Sequence, residues 1–325
     1  MPEITYLQAI ADGMREEMHR DEHVYMLGED IGIYGGAFKV TKGFWGEFGE
    51  KRVFDTPLSE SAIVGAAAGS AIAGLRPIAE IQFADFITSG FSQIVTNIAT
   101  LYFRHGISIP MVIRAPSGGG IHGGPFHSRN PEAWFIHQPG LKVVTPATAR
   151  DAKGLIKSAI RDDNPVIYFE HKYLYRRIKE DIPENEEILV PLGKAAIARE
   201  GKDITIVTYG APLHLCVELA TDFSKQGIEI EILDLRTLLP FDKEAIIRSV
   251  QKTSRLVVVH EDTLTGGFGG EIVAIIADEA FEYLDAPIKR VSAIDTPTPF
   301  SPPLEEFFMP GIDKIKKCVE DVLQY

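Results

Sequence analysis

Two stretches of this chain carry residues whose types and spacing can do chemistry. The first is Asp55-Thr56-Pro57-Leu58-Ser59-Glu60-Ser61-Ala62. Pro57 keeps Thr56 extended, so a helix starts near Ser59 or Ser61. A carboxylate there meets free N–H groups and the positive end of the helix dipole. Glu60 reads either as a plain helix-start residue or as a carboxyl placed to share a proton. The second stretch is Gly118-Gly119-Gly120-Ile121-His122-Gly123-Gly124-Pro125, running into Phe126-His127-Ser128. It matches G-x-G-x-x-G behind a strand ending at Arg114. The glycines continue instead of opening a helix, however, and no ribose-binding acid follows at dinucleotide spacing. A tightly turned surface loop is the plain alternative. Gly-rich loops bearing imidazoles are also common carriers of function, since an imidazole moves protons near neutral pH.

The elements that must position these residues alternate short β-branched runs with longer helical stretches. Strands are expected at His23 to Leu27, Pro77 to Phe83, Pro110 to Arg114, Lys142 to Val144 and Val166 to Phe169. Helices are expected at Ser61 to Leu75, Asp85 to Phe103 and Ala149 to Ile160. Lys172 to Glu187 is charged, holds Pro183 and lacks core periodicity, so it reads as a linker. Strands then recur at Ile204 to Thr208, Glu229 to Leu233 and Leu256 to His260. Helices recur near Leu213 to Lys225, Lys243 to Gln251, Gly270 to Glu282 and Ile312 to Leu323. Thr296 to Pro303 contains four prolines and reads as an extended surface segment. The fold class is α/β: two doubly wound domains with mainly parallel sheets, divided at 1–187 and 188–325.

The 325 residues suit two domains, and 45% apolar with 24% charged residues describe a globular chain. A formal net charge of -13 argues against a nucleic-acid partner, which would call for Lys and Arg excess. Cys216 and Cys318 form neither a disulfide framework nor a zinc spacing, in keeping with a reducing compartment. No apolar run is long enough to cross a membrane. The Met1-Pro2-Glu3-Ile4 start has no leader character, and cytoplasm is the expected location.

The stretches Leu27-Gly28-Glu29-Asp30, Asp55 to Glu60, Glu80-Ile81-Gln82-Phe83-Ala84-Asp85-Phe86 and His127-Ser128 together resemble one family, as do Asp151 to Leu155 and Asp234-Leu235-Arg236-Thr237. That family is the beta subunit of the decarboxylating component of 2-oxo acid dehydrogenase complexes, and the likeness runs in order over essentially the whole chain. The resemblance implies a transketolase-like pyrimidine-binding domain followed by a transketolase C-terminal-like domain. It implies thiamine diphosphate shared with an alpha subunit that holds the diphosphate and magnesium, in an assembly of two alpha and two beta chains. The absence of a Gly-Asp-Gly stretch agrees with that division.

By the same resemblance, Glu60 bonds the pyrimidine ring nitrogen, and Leu58, Gln82 and Phe86 line the pyrimidine pocket. His127 matches the histidine that assists acyl transfer onto the lipoyl arm of the acyltransferase core. Ala159-Ile160-Arg161-Asp162-Asp163-Asn164, with Met111 on the adjoining strand, resembles a potassium site built mostly from carbonyls of Met111, Ala159, Ile160, Asp162 and Asn164. The alternative is that Asp162, Asp163 and Asn164 merely end a helix and turn the chain. The C-terminal domain resembles the family's assembly domain. Glu261, Asp262, Asp285, Asp295, Glu305 and Glu306 are expected either to meet a basic domain of the core or to form a solvated acidic face.

His127 to Ala133 and Lys172 to Arg176 look closer to branched-chain members than to mitochondrial-type pyruvate ones. Phe86 stands where branched-chain relatives often have Tyr, and Arg129 where many have Gln. These two positions depart from the branched-chain pattern; the stretches from His127 and Lys172 favour branched-chain 2-oxo acids as substrates, with pyruvate next. Other readings are an acetoin-cleaving relative, a self-sufficient transketolase-like enzyme, and a non-catalytic α/β binding or scaffold protein.

Overall fold

The computed structural model describes residues 3–183 and 186–325, and the chain falls into two compact units. Unit one comprises Met1–Ser117 and Trp134–Leu192; unit two comprises Gly118–Ala133 and Gly193–Tyr325. The Gly-rich segment 118–133 thus groups with the second unit, a placement that a linear division of the sequence does not anticipate.

In unit one the strands Val24–Gly28 (β1), Val53–Asp55 (β2), Arg76–Glu80 (β3), Val112–Ser117 (β4), Lys142–Val144 (β5) and Val166–His171 (β6) lie in the order β5-β6-β4-β3-β1-β2. All these neighbours are parallel. Continuous Val, Ile and Ala runs supply strands buried on both faces, as a helix-covered parallel sheet requires. Helix α1 (Tyr6–Arg20) is closed at its start by Thr5 and Gln8, whose side chains and backbone exchange hydrogen bonds of 3.2 and 2.8 Å. It packs on α2 (Ala149–Arg161), and the contact is close because position 13 has no side chain: a Cβ there would lie 2.6 Å from Ile156. Buried Glu17 joins the two helices through Arg161, at 2.7 Å.

Two expectations are corrected within this unit. Asp85 to Phe103 is not one helix. A 3₁₀ turn at Ala84–Gly90 is followed by a π-helical turn at Gln93–Ile98 and an α-helix at Ala99–His105. Gly90 lies against Val64 and the Glu60 backbone, where a Cβ would come within 3.2 Å of Val64, and this approach favours an irregular path. The stretch Lys172 to Glu187 is no loose linker either. Leu174 and Tyr175 are buried, and Lys179–Asp181 pairs antiparallel with Glu3–Thr5. Glu187 bonds Lys157 at 2.7 Å and Arg161 at 2.6 Å. The charges of this stretch are spent on the fold, which is why they carried no core periodicity.

Arg114 on β4 is completely buried. Its guanidinium meets Glu80 of β3 at 2.6 Å and Glu170 of β6 at 2.5 Å, and Tyr175 donates to Glu170 at 2.9 Å. Burial opposes the Arg114 charge, but Glu170 and Glu80 more than offset that cost.

Unit two has a sheet of Ala196–Arg199 (β7), Ile204–Thr208 (β8), Ile230–Asp234 (β9), Leu256–Thr263 (β10) and Lys289–Ala293 (β11), ordered β11-β10-β8-β9-β7. Only β7, at the edge, runs antiparallel to its neighbour. Helices Pro212–Ser224, Lys243–Thr253, Gly269–Glu279, Pro302–Phe308 and Ile312–Leu323 accompany it. Phe300 precedes the helix Pro302–Phe308, so the proline-rich run expected to be wholly extended turns helical at its end. Among the described residues no helix is long and apolar enough to cross a membrane.

Replacing Arg114 by Met strands two buried carboxylates. Chemical denaturation of the Arg114→Met protein is expected to show a loss of about 3–5 kcal/mol, partly recovered when Glu80→Gln and Glu170→Gln are added. A loss below about 1 kcal/mol would mean that the ion network is structurally idle.

Candidate active site

Parallel registry sets Asp55, Gly28 and Glu80 side by side at the carboxyl ends of β2, β1 and β3. From β1 the chain steps one way to β2 and the other way to β3. This is the topological switch where open α/β sheets leave a crevice for ligands. Gly28 permits the close approach, since a Cβ there would sit 2.9 Å from the Glu80 carbonyl. The loops leaving the three strands carry Glu29 and Asp30, then Leu58 and Glu60, then Gln82 and Phe86. Four residues expected to surround a pyrimidine therefore arise from one edge of one sheet.

Glu60 opens the helix Glu60–Ile72 and is 8% exposed. Ser59 before it makes no side-chain cap, so the first turn is not closed in the usual way. Glu29, 7% exposed, is its acidic neighbour: burial, then the charges of Glu60, Asp30 and Glu80, push the Glu29 carboxyl above the ordinary range. In the sequence, Glu29 stands out only as part of the Leu27-Gly28-Glu29-Asp30 stretch. Its place directly after the first strand of the sheet was the available signal. Asp55 accepts the Gly32 N–H at 2.6 Å and fixes the loop after Glu29, while Gln82 donates to Asp30 at 3.4 Å. Phe86 is half-buried, edge-on to Phe83 at 5.7 Å and 73°. Leu58 is 79% exposed. A buried carboxyl, a carboxamide, an aromatic edge and an exposed aliphatic side chain form a donor set that fits a flat nitrogen heterocycle. Such a ring brings apolar faces and a nitrogen that a carboxyl can bond.

His127 lies in unit two. It is half-buried, and its Cβ faces Gly123, where a side chain would approach it to 2.8 Å. Gly123 donates to Ser128 Oγ at 3.1 Å and Gly118 to the Arg129 carbonyl at 3.1 Å, closing the loop on itself. The donors of the G-x-G-x-x-G match are already used. Gly119 N–H goes to Glu261 (2.6 Å), while Gly120 and His122 N–H go to Glu305 (3.0 and 3.1 Å). These bonds speak against a phosphate cradle here and overturn one expectation. Glu261 and Glu305, read from sequence as part of an acidic surface, are buried at 4% and 1% exposure because the loop backbone solvates them. Asp285, Asp295 and Glu306 do lie at the surface.

The residues of the potassium-like turn lie in unit one. The Ile160 and Asp162 carbonyls accept from Arg76 at 3.0 and 3.1 Å, and the Asp162 carboxylate pairs with Lys142. Asn164 N–H donates to Asp162 at 2.8 Å, Asp162 N–H to the Ala159 carbonyl at 3.3 Å, and Val166 N–H to that of Met111 at 3.0 Å. Protein donors thus meet four of these carbonyls, as in a capped turn, and each carbonyl keeps a second lone pair. Among the described residues no group of three or more His, Cys, Asp or Glu could hold a metal ion.

Below the loop, Glu132 is buried and accepts from Tyr209 at 3.0 Å. Burial, with the charge of Asp262 adding to it, raises the Glu132 carboxyl well above its usual range. Burial chiefly, then Glu261, pushes Asp262 up to about 6. Because the folded value is raised, the protonated acid favours folding. That contribution is full below about pH 4 and is lost as pH rises through about 6. Asp262→Asn should flatten the fall in thermal stability over this window, a fall of at most about 3 kcal/mol. Melting temperatures of both proteins measured from pH 4 to 8 check it, and equal slopes would refute the assignment.

Comparison with known proteins agrees with this architecture. Residues 2–177 match the transketolase pyrimidine binding domain, and residues 193–315 match the transketolase C-terminal domain. The chain is 47% identical over 328 residues to the 2-oxoisovalerate dehydrogenase subunit beta of Bacillus subtilis, covering 100% of both. It is 46% identical to the mitochondrial 2-oxoisovalerate dehydrogenase subunit beta 2 of Arabidopsis thaliana, over 98% of this chain and 88% of that one. It is 44% identical to the pyruvate dehydrogenase E1 component subunit beta of B. subtilis, again covering 100% of both. A solved split-gene transketolase, an inactive beta4 tetramer, shares the fold at TM-score 0.79 and 23% identity, over 99% of each chain. With its crevice, its two transketolase domains and these end-to-end likenesses, the chain belongs to the family of 2-oxo acid dehydrogenase beta subunits.

Proposed function

We propose that the chain works with an alpha subunit, as two alpha and two beta chains, to decarboxylate a branched-chain 2-oxo acid oxidatively and pass the acyl group to a lipoyl acyltransferase core. Pyruvate is the second candidate substrate. What carries the reading is the buried Glu60 carboxyl at the switch-point crevice of a pyrimidine-binding domain, in a chain matched throughout by dehydrogenase beta subunits. The two 2-oxoisovalerate relatives, at 47% and 46%, support the branched-chain preference over the 44% pyruvate relative.

Thiamine diphosphate, with its diphosphate and magnesium on the alpha subunit, supplies the electron sink for decarboxylation. Glu60, buried at the start of its helix, would meet the pyrimidine ring nitrogen and share a proton with it. Leu58 and Phe86 hold the ring by apolar contact and exclude water, while Gln82 offers a carboxamide to its polar edge. His127, on a loop rather than on the sheet, donates a proton to the sulfur freed when the lipoyl disulfide opens.

The test is reconstitution with the alpha partner, following decarboxylation by reduction of a dye, with 2-oxoisovalerate and pyruvate in parallel. Glu60→Ala is expected to lower kcat by about 10²–10³-fold, and undiminished turnover would sink its role. His127→Ala should depress acylation of a lipoyl domain about 10²-fold while dye reduction falls much less. Equal losses in the two assays would remove His127 from the transfer step.

A further inference from the structure

The loop bearing His127 is held by two buried carboxylates that the proposed chemistry does not use. Glu305 takes the Gly120 N–H on one oxygen, and the His122 N–H and His122 Nδ1, the latter at 2.7 Å, on the other. Glu261 takes the Gly119 N–H and the Asn130 side chain, at 2.6 and 2.7 Å, on one oxygen. A buried carboxylate without donors is costly, and these donors exist only while the loop keeps its shape. That shape needs left-handed backbone at Gly118, Gly120, His122 and Gly124.

Three of those four positions are glycine; His122 is not, at φ 61°. A side chain there is strained, and glycine would be the easy choice. The imidazole instead brings Nδ1 to 2.7 Å from Glu305 and keeps its side chain 51% exposed, so a contact to the buried carboxyl group offsets the strain. The loop is also shaped by side chains from the same unit. A Cβ on Gly119 would come within 2.9 Å of Met309 Sδ, and one on Gly124 within 2.3 Å of the Phe300 ring.

We propose that Glu305, assisted by Glu261, is a positioning residue for acyl transfer: it fixes the loop that presents His127 and orients the His122 imidazole carried on that loop. This rests on the transfer role given to His127 above. The experiment is hydrogen exchange by mass spectrometry on the reconstituted complex, with lipoyl-domain acylation measured on the same samples. In Glu305→Ala, exchange in the 118–133 peptides is expected to quicken about tenfold or more, while those covering Ile204–Thr208 keep wild-type protection. KM for the lipoyl domain should rise more than dye-coupled turnover falls. Glu305→Gln, which keeps one accepting oxygen, should lie between wild type and Ala, and it carries the test if Glu305→Ala does not fold.

Unchanged loop exchange, or exchange quickened evenly across residues 193–325, overturns the proposal. So does faster loop exchange with normal acylation in Glu305→Ala while His127→Ala is impaired, an outcome that leaves the His127 reading standing. Normal acylation in both variants means that the His127 reading itself has failed.

Discussion

A guanidinium sealed between two carboxylates is the interaction on which the first unit turns. Arg114 spans β3, β4 and β6 through Glu80 and Glu170, so three parallel strands share one electrostatic tie beside the crevice. Registry sets Glu80 beside Gly28, and the residues that follow bring the charges of Glu60, Asp30 and Glu80 to bear on Glu29. Arg114 takes up the Glu80 charge, while burial and the charges of Glu60, Asp30 and Glu80 raise the Glu29 carboxyl. The acidic end of this sheet therefore depends on a neutralising group one strand away.

The second unit solves a related problem with backbone instead of arginine. Glu261 and Glu305 are as buried as the ion network of the first unit, yet the bonds that solvate them come mainly from N–H groups of a Gly-rich loop. Glycine is what makes this possible at Gly118 and Gly120, because successive N–H groups can converge on one carboxylate only when the chain alternates into left-handed conformation. A loop whose composition suggests freedom is in this way tied down at its first half.

Much of the architecture was legible in the sequence because hydrophobic runs are local. The strands Lys142–Val144 and Ile204–Thr208 and the helix Ile312–Leu323 lie where the pattern put them. Glu60 was legible as a helix-start acid, but the site role proposed for it rests on family likeness; its burial and its charge acting on Glu29 emerge only in the fold. What stayed hidden was long-range. The carboxylates of Glu261 and Glu305 look like surface acids until donors 142 and 185 residues away fold onto them. The charges of Lys172 to Glu187 resemble a linker until Lys157 and Arg161 claim Glu187. Within the irregular path Ala84–Ile98, Gly90 packs against Val64 and the Glu60 backbone, a long-range contact that local periodicity does not show.

Unit two is discontinuous along the chain: its first sixteen residues, Gly118–Ala133, are threaded between β4 and Trp134 of unit one. A fragment cut at the boundary near Gly193 would thus lack the peptide groups that accommodate two of its interior acids. The module recognised as the transketolase C-terminal domain, residues 193–315, is in this chain chemically incomplete by itself, and gene fusions or excisions at that seam would carry an electrostatic penalty that sequence boundaries do not disclose.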